Sequence, residues 1–236
     1  MREFAAFLKP EETRILDKFV FELPCNWKFV PEDLMDIHHV GVIHGSSFGA
    51  HFPSHNFCFN LQKHGYNAQY ESYTMAPGGA PLFDTMPSLK GKVDQYFACA
   101  AWVRPIFNLF GRHDLIQPWA ALPLGPERTQ ITLYYTQLPA EFFGRPALKE
   151  KNQVYADFIR LVAEEDSTLM ESLQNAARSR HYTPGPMAKL ERAIHHLLNY
   201  WLDSLFGEND ASTRQRLSEG ALAYQAPLKK SRVKAS

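Results

Sequence analysis

The chain contains 236 residues, with 25 lysines and arginines balanced by 25 aspartates and glutamates, and 45% of its residues are apolar. This composition excludes a disordered chain and predicts one large globular domain or two small ones. No basic excess is present to neutralise phosphate groups, so we expect a small-molecule partner and no nucleic acid. The longest apolar run, residues 96–103, is far shorter than the roughly 18 residues that span a bilayer, and the N-terminus carries charges where a signal peptide is apolar. We therefore expect a cytoplasmic protein with no membrane segment.

The first half of the chain predicts a strand, a helix and then a sheet. Residues 18–30 are rich in Phe and Val and predict a strand. Pro31-Glu32-Asp33 comes next as a helix start, and the helix is expected to reach about His44. Between residues 55 and 136, six short aromatic and β-branched runs alternate with turn signals. That spacing indicates a meandering antiparallel sheet.

The second half changes to helical periodicity. Apolar residues recur at helical spacing over about residues 149–178, and again after the break at residues 184–186. The predicted fold class is α+β, with one antiparallel sheet curled against two long C-terminal helices. We assign residues 1–206 to this domain and expect residues 207–236, which are polar and end in a basic cluster, to form a disordered tail.

Asp36, His39 and His44 are spaced as candidate metal-binding residues. Asp36 precedes His39 by three residues, and His44 lies five residues after His39. Two imidazoles with a nearby carboxylate provide both ligands and an outer hydrogen-bond acceptor for a borderline divalent metal. On a regular helix the two histidines would lie roughly 140° apart, at ~100° per residue. Both can face one ion only if the helix distorts, and Gly41 is where a distortion is least costly.

Asp166 is the preferred third ligand. It projects from the apolar stripe that contains Val162 and Leu169, and a carboxylate aimed at a core is costly unless a cation receives it. Its neighbour Glu165 is expected to point toward the flank of the helix, and Glu171 toward solvent. His39, His44 and Asp166 would then form a facial triad of two histidines and one carboxylate.

Several motifs extend beyond these ligands in a characteristic order. Asn26-Trp27-Lys28 precedes the Asp-x2-His-x4-His spacing, residues 123–129 read PLGPERT, and residues 165–174 read ED-x4-E-x2-Q. Over about residues 18–206 they resemble the catalytic domain of the α subunits of Rieske non-haem iron aromatic-ring-hydroxylating oxygenases. In those proteins an NWK strand leads into the histidine helix. The family commonly has Tyr and Asn where this chain has His38 and Asp33.

The resemblance implies a fold, a cofactor and a reaction. The fold is the helix-grip (START-like) arrangement, with mononuclear Fe(II) held by His39, His44 and Asp166. The implied reaction activates O2 to monooxygenate, dioxygenate or oxidatively demethylate a small organic substrate. Asp36 corresponds to the family aspartate that hydrogen-bonds across a subunit boundary to a ligand of a 2Fe-2S cluster, and a homotrimer would explain it.

These 236 residues contain no Cys-x-His or Cys-x2-His pair that could bind a 2Fe-2S cluster. The three cysteines are widely separated, which also argues against a disulfide framework or a zinc ribbon. We expect the cluster only on a partner chain, so that electrons come from a separate Rieske protein or subunit and its reductase. A split α subunit, a dissected gene product and a degenerate paralogue are all compatible with this absence.

A noncatalytic carrier of apolar ligands is the alternative from another class. Helix-grip domains often enclose a cavity, which here would be lined by Phe57, Phe59, Tyr70, Tyr73, Phe97, Trp102, Phe107 and Phe110. Core packing is the simpler interpretation for most of these aromatic residues. A metal hydrolase or cupin-type oxygenase is weakened because neither a His-x-Asp pair nor HExxH occurs. The substrate and the type of oxygenation stay open.

Overall fold

The computed structural model describes residues 6–52, 57–63, 65–93, 96–137 and 147–206, so the tail predicted at 207–236 lies outside the described residues. The strands are β1 (Arg14–Leu23), β2 (Phe57–Gln62), β3 (Gly65–Glu71), β4 (Phe97–Val103), β5 (Phe107–Arg112), β6 (Ile116–Gly125) and β7 (Arg128–Gln137). The α-helices are α1 (Phe29–Met35), α2 (His38–Ile43), α3 (Ala147–Ala177) and α4 (Arg192–Phe206). Short 3-10 helices cover Ala6–Leu8, Pro10–Glu12, Gly49–His51, Pro77–Gly79 and Lys189–Glu191.

The seven strands form one antiparallel sheet in the order β1-β7-β6-β5-β4-β3-β2. Strands β2 to β7 succeed one another as a meander, as the six predicted runs indicate, and β1 pairs with β7. The prediction that residues 18–30 form a strand is wrong at its end, because β1 stops at Leu23. Pro24 comes directly after it, and the Asn26 Oδ1 accepts the backbone N–H of Lys28 at 3.1 Å. Asn26-Trp27-Lys28 therefore belongs to the turn before α1 and not to a strand.

Alternation along the strands separates the two faces of the sheet. In β4, Trp102 packs with residues of α4, whereas Phe97 and Cys99 pack with Leu8 and Leu89 on the opposite face. Since successive side chains of a strand point to opposite faces, Ala98 and Ala100 lie on the same face as Trp102. Small side chains therefore occupy the middle of the helix-covered face.

The two C-terminal helices cover that face, as the helical periodicity predicts. Helix α3 packs Phe158 and Val162 against Phe19 of β1 and Leu133 of β7. Helix α4 places Trp201 against the outer strands, with 6.0 Å between the ring centroids of Trp102 and Trp201. The α+β, helix-grip-like fold is confirmed. In the described part of the chain, no helix combines the length and the apolar composition needed to cross a membrane.

Residues of the three sequence motifs form hydrogen bonds with the segment just before α1. The backbone N–H of Asn26 donates to Oε1 of Gln174 in α3 at 2.8 Å, and its Nδ2 donates to the carbonyl of Pro126 at 2.7 Å. Thr129 donates its hydroxyl to the carbonyl of Cys25 at 2.8 Å. These contacts tie the segment before α1 to α3 and to the β6–β7 hairpin. They hold the early helices beside α3, where the candidate ligands come together.

Candidate metal centre and cavity

The early helix is interrupted two residues before the first candidate ligand. Asp36 caps the end of α1 with extended backbone angles, and its carboxylate accepts the backbone N–H groups of His38 at 2.8 Å and His39 at 3.2 Å. A carboxylate that accepts N–H groups at a helix start stabilises that start. The predicted single helix with a distortion at Gly41 is therefore wrong, because the break lies at Asp36 and Ile37. His44 comes directly after the last residue of α2.

The three predicted ligands converge in space. His39, His44 and Asp166 each offer one ligand atom, and these atoms all lie within 4.8 Å of one another. The Nε2 of His44 lies 2.9 Å from Oδ1 of Asp166, and the Nε2 of His39 lies 4.0 Å from the same oxygen. The side chain of His44 is only 1% exposed. That these residues bind a metal stays a prediction.

The donor set fits a divalent iron. Oδ1 of Asp166 is buried, and its polar neighbours are the two imidazole Nε2 atoms, at 2.9 Å from His44 and 4.0 Å from His39. A cation bound among these three atoms would offset the cost of burying the carboxylate. Two neutral imidazoles and one carboxylate form the ligand set typical of non-haem Fe(II).

Glu165 holds the outer side of His44. Its Oε2 lies 2.7 Å from Nδ1 of His44 and accepts the Ser47 hydroxyl at 2.7 Å, and its Oε1 accepts the Ser46 hydroxyl at 3.2 Å. Burial raises the pKa of Glu165, but the hydrogen bonds from His44, Ser47 and Ser46 outweigh it, so the pKa lies below its ordinary value. The prediction that Glu165 points to the flank is wrong. It fixes the ring so that Nε2 faces Asp166.

His39 has two acidic neighbours on its outer side. Its Nδ1 lies 3.7 Å from Oδ1 of Asp33 and 3.9 Å from Oδ2 of Asp36, both beyond direct hydrogen-bond distance. Burial lowers the pKa of His39 more than the Asp166 charge raises it, which favours the neutral imidazole that ligates metals. Burial and the charges of Asp166, Asp36 and Glu32 raise the pKa of Asp33 well above its ordinary value. The sequence predicts Asp33 only as part of the helix start and as a departure from the family's Asn, although it precedes Asp36 by three residues in the chain.

A cavity opens between these residues and the sheet. Its volume is about 100 Å³, below the roughly 300–1,000 Å³ typical of small-molecule sites. Most of its lining is apolar. Of the aromatic residues named for a carrier cavity, Phe59, Tyr70 and Phe110 line it, whereas Phe97 faces the other side of the sheet and Trp102 lies in the core.

Solved structures of Rieske oxygenase α subunits share this fold. The quaternary ammonium Rieske monooxygenase CntA in complex with an inhibitor aligns with a TM-score of 0.61 and 14% identity, over 85% of this chain and 52% of that one. Naphthalene 1,2-dioxygenase from Rhodococcus sp. bound to indole gives a TM-score of 0.56 and 13% identity, over 84% of this chain and 57% of that one. Dicamba monooxygenase bound to dicamba gives a TM-score of 0.54 and 13% identity, over 90% of this chain and 60% of that one. At these identities the likeness is one of fold.

The fold is that of the catalytic domain of Rieske oxygenase α subunits. The family model described as the ring hydroxylating alpha subunit (catalytic domain) matches residues 10–207, and the chain belongs to this family. Members are enzymes, and their catalytic domains bind mononuclear non-haem iron. The chain spans about half the length of the CntA structures it matches. A search of curated protein sequences found no match.

Proposed function

We propose that this chain is the catalytic component of a Rieske-type oxygenase, with one Fe(II) held by His39, His44 and Asp166. The observation that carries the proposal is the convergence of His39, His44 and Asp166 in the cavity wall, where the buried Oδ1 of Asp166 lies 2.9 Å from Nε2 of His44 and 4.0 Å from Nε2 of His39. The bound iron would activate O2 for hydroxylation or oxidative demethylation of a small organic molecule. Whether one or two oxygen atoms enter the substrate is left to product analysis.

The chain's own residues prepare this site in three ways. Oε2 of Glu165 lies 2.7 Å from Nδ1 of His44 and so orients the ring with its Nε2 toward Asp166. Asp36 fixes the backbone at the start of α2, from which His39 projects. The mostly apolar cavity lining lowers the local dielectric constant, which strengthens electrostatic interactions at the centre.

Electrons have to come from a 2Fe-2S cluster outside these residues, and we assign that cluster to a separate Rieske protein with its reductase. Two of the three cysteines, Cys25 and Cys99, are fully buried, and none has a paired histidine in the sequence. Asp36 is the candidate link, because its side chain is 27% exposed while it also lies at the start of the ligand helix. A homotrimer would bring such a cluster to Asp36.

The carrier alternative is weaker on this geometry. An apolar carrier gains nothing from two imidazoles and a carboxylate buried in its cavity wall, and burying them carries a desolvation cost. The titration of Fe(II) into anaerobic protein separates the two functions. The oxygenase predicts one iron per chain, and the carrier predicts none.

The ligand assignment is tested with a matched set of variants. His39→Ala, His44→Ala and Asp166→Ala should each lose iron, while circular dichroism stays unchanged. His38→Ala is the control, because His38 is exposed and adjacent in sequence. Stoichiometric iron in a His39→Ala/His44→Ala double variant would refute the assignment. Turnover with NADH, reductase and an added Rieske protein then tests the activity, and multiple turnovers without the Rieske protein would refute the proposed electron route.

A further inference from the structure

The sheet wall of the cavity carries buried hydrogen-bond donors that the metal centre does not use. Arg112 at the end of β5 and Gln117 and Trp119 in β6 all line the cavity. Arg112 is 5% exposed and Gln117 is 2% exposed. In the described part of the chain, Nε of Arg112, Nε2 of Gln117 and Nε1 of Trp119 are buried without a hydrogen-bond partner. Such donors are costly to bury unless a ligand supplies acceptors.

The strand register gathers these donors on one face. Gln117 pairs with Phe110 and Trp119 pairs with Asn108, so Arg112, two residues beyond Phe110, lies diagonal to Gln117, and Trp119 lies on the other side of Gln117. Alternate positions of a strand share a face, which places Arg112, Gln117 and Trp119 on the helix-covered side. Ala100 pairs with Phe110 in the same face and, with Ala68, leaves room above the sheet.

Arg112 brings a positive charge whose described hydrogen-bond partners are neutral. Its Nη1 donates to the Ser72 hydroxyl at 3.1 Å and to the carbonyl of Tyr73 at 2.9 Å. Asp114, the nearest carboxylate in sequence, accepts hydrogen bonds from the hydroxyls of Thr74 and Tyr155. A guanidinium is always charged and offers five N–H donors in a planar fork that matches a carboxylate. Within the described residues Nε of Arg112 has no hydrogen-bond partner, so this donor of the fork is available to a ligand.

We propose that the substrate is a small organic acid with an apolar body, whose carboxylate is bound by Arg112 with Gln117 and Trp119 donating beside it. The assignment as substrate rests on the proposed function, but the binding itself does not require iron. Charge on the opposite wall supports this orientation in the metal-free protein, because Asp36 and Asp166 line the cavity on the helix side. Without a bound cation, an anionic group is repelled there and attracted to the sheet wall. The apolar body then points toward the metal centre.

The test compares an acid with its neutral isostere. Phenylacetate and phenylacetamide are titrated calorimetrically into the full chain as purified, and again after chelation with EDTA. Hydrogen bonds to charged groups predict that phenylacetate binds at least ~10-fold more tightly than phenylacetamide. Arg112→Met should abolish this preference, and Gln117→Met, which removes no described hydrogen bond, should weaken phenylacetate binding several-fold with the melting temperature retained.

Several outcomes would overturn the proposal. Equal affinity for the two probes would do so, as would no phenylacetate binding at millimolar concentration or a preference that survives in Arg112→Met. A preference that disappears on chelation would place the carboxylate on a metal instead. If Arg112→Met unfolds and Gln117→Met binds phenylacetate normally, the donors are structural and the proposal fails. Failure of the iron titration with the acid preference intact would refute the oxygenase function alone.

Discussion

Replacing Glu165 by Gln isolates the charge that holds His44. In the structure, Oε2 of Glu165 is shared between Nδ1 of His44 and the Ser47 hydroxyl, each at 2.7 Å. Gln keeps an oxygen acceptor but loses the charge, and a charge-assisted hydrogen bond is about twice as strong as a neutral one. We expect a loss of about 1–2 kcal/mol, or roughly tenfold in the Kd for Fe(II). Glu165→Ala removes the acceptor as well, and it should raise the Kd for Fe(II) by ~100-fold, the largest effect expected for a residue that hydrogen-bonds to a metal ligand.

The assay is competition for Fe(II) against a colorimetric chelator under anaerobic conditions. Glu164→Gln is the matched control, since Glu164 is the exposed neighbour on the same helix and its replacement changes the net charge equally. Circular dichroism of each variant checks that α3 is intact. An Fe(II) affinity of Glu165→Gln equal to that of Glu164→Gln would show that the contact with His44 does not support metal binding.

Three more contacts and groups can be tested in the same way. Asp36→Asn should retain most of its iron, because the amide oxygen can still accept the N–H groups at the start of α2. It should lose multiple turnover with an added Rieske protein, because the charge that faces the cluster is gone. Unchanged turnover would show that Asp36 only caps α2. Thr129→Val should lower the free energy of unfolding by about 1–3 kcal/mol in a urea titration, since it leaves the buried carbonyl of Cys25 without its donor. Burial raises the pKa of all three thiols, to about 11 for Cys25 and about 12 for Cys99, and only Cys58 is partly exposed. At pH 8 Cys58 should therefore react with a disulfide reagent faster than the other two, and a second thiol reacting at the same rate would contradict this.

The sequence alone determined the elements whose signal is local. The six strand runs between turns and the two C-terminal helices are predicted by periodicities of two and 3.6 residues, and both appear in the structure. The convergence of His39, His44 and Asp166 was also predicted, from the spacing around the two histidines and the inward position of Asp166, and that they bind a metal stays a prediction. The elements at the start of the domain were predicted less well. The strand predicted over residues 18–30 ends at Leu23, because Pro24 and the side chain of Asn26 override the β propensity of residues 27–30.

Only the tertiary structure decided how the site is assembled. Glu165 and Asp166 are adjacent in sequence, and periodicity assigned one to the flank, yet they contact opposite nitrogens of His44. That arrangement depends on where α3 lies relative to α2, which long-range hydrogen bonds such as Asn26 to Gln174 establish. The sequence did not reveal the buried donors of Arg112 and Gln117 either. Alternation in a strand shows that two residues share a face, but it does not show which face the helices cover. The burial of these two side chains across the cavity from the candidate metal centre therefore depends on how the helices pack on the sheet.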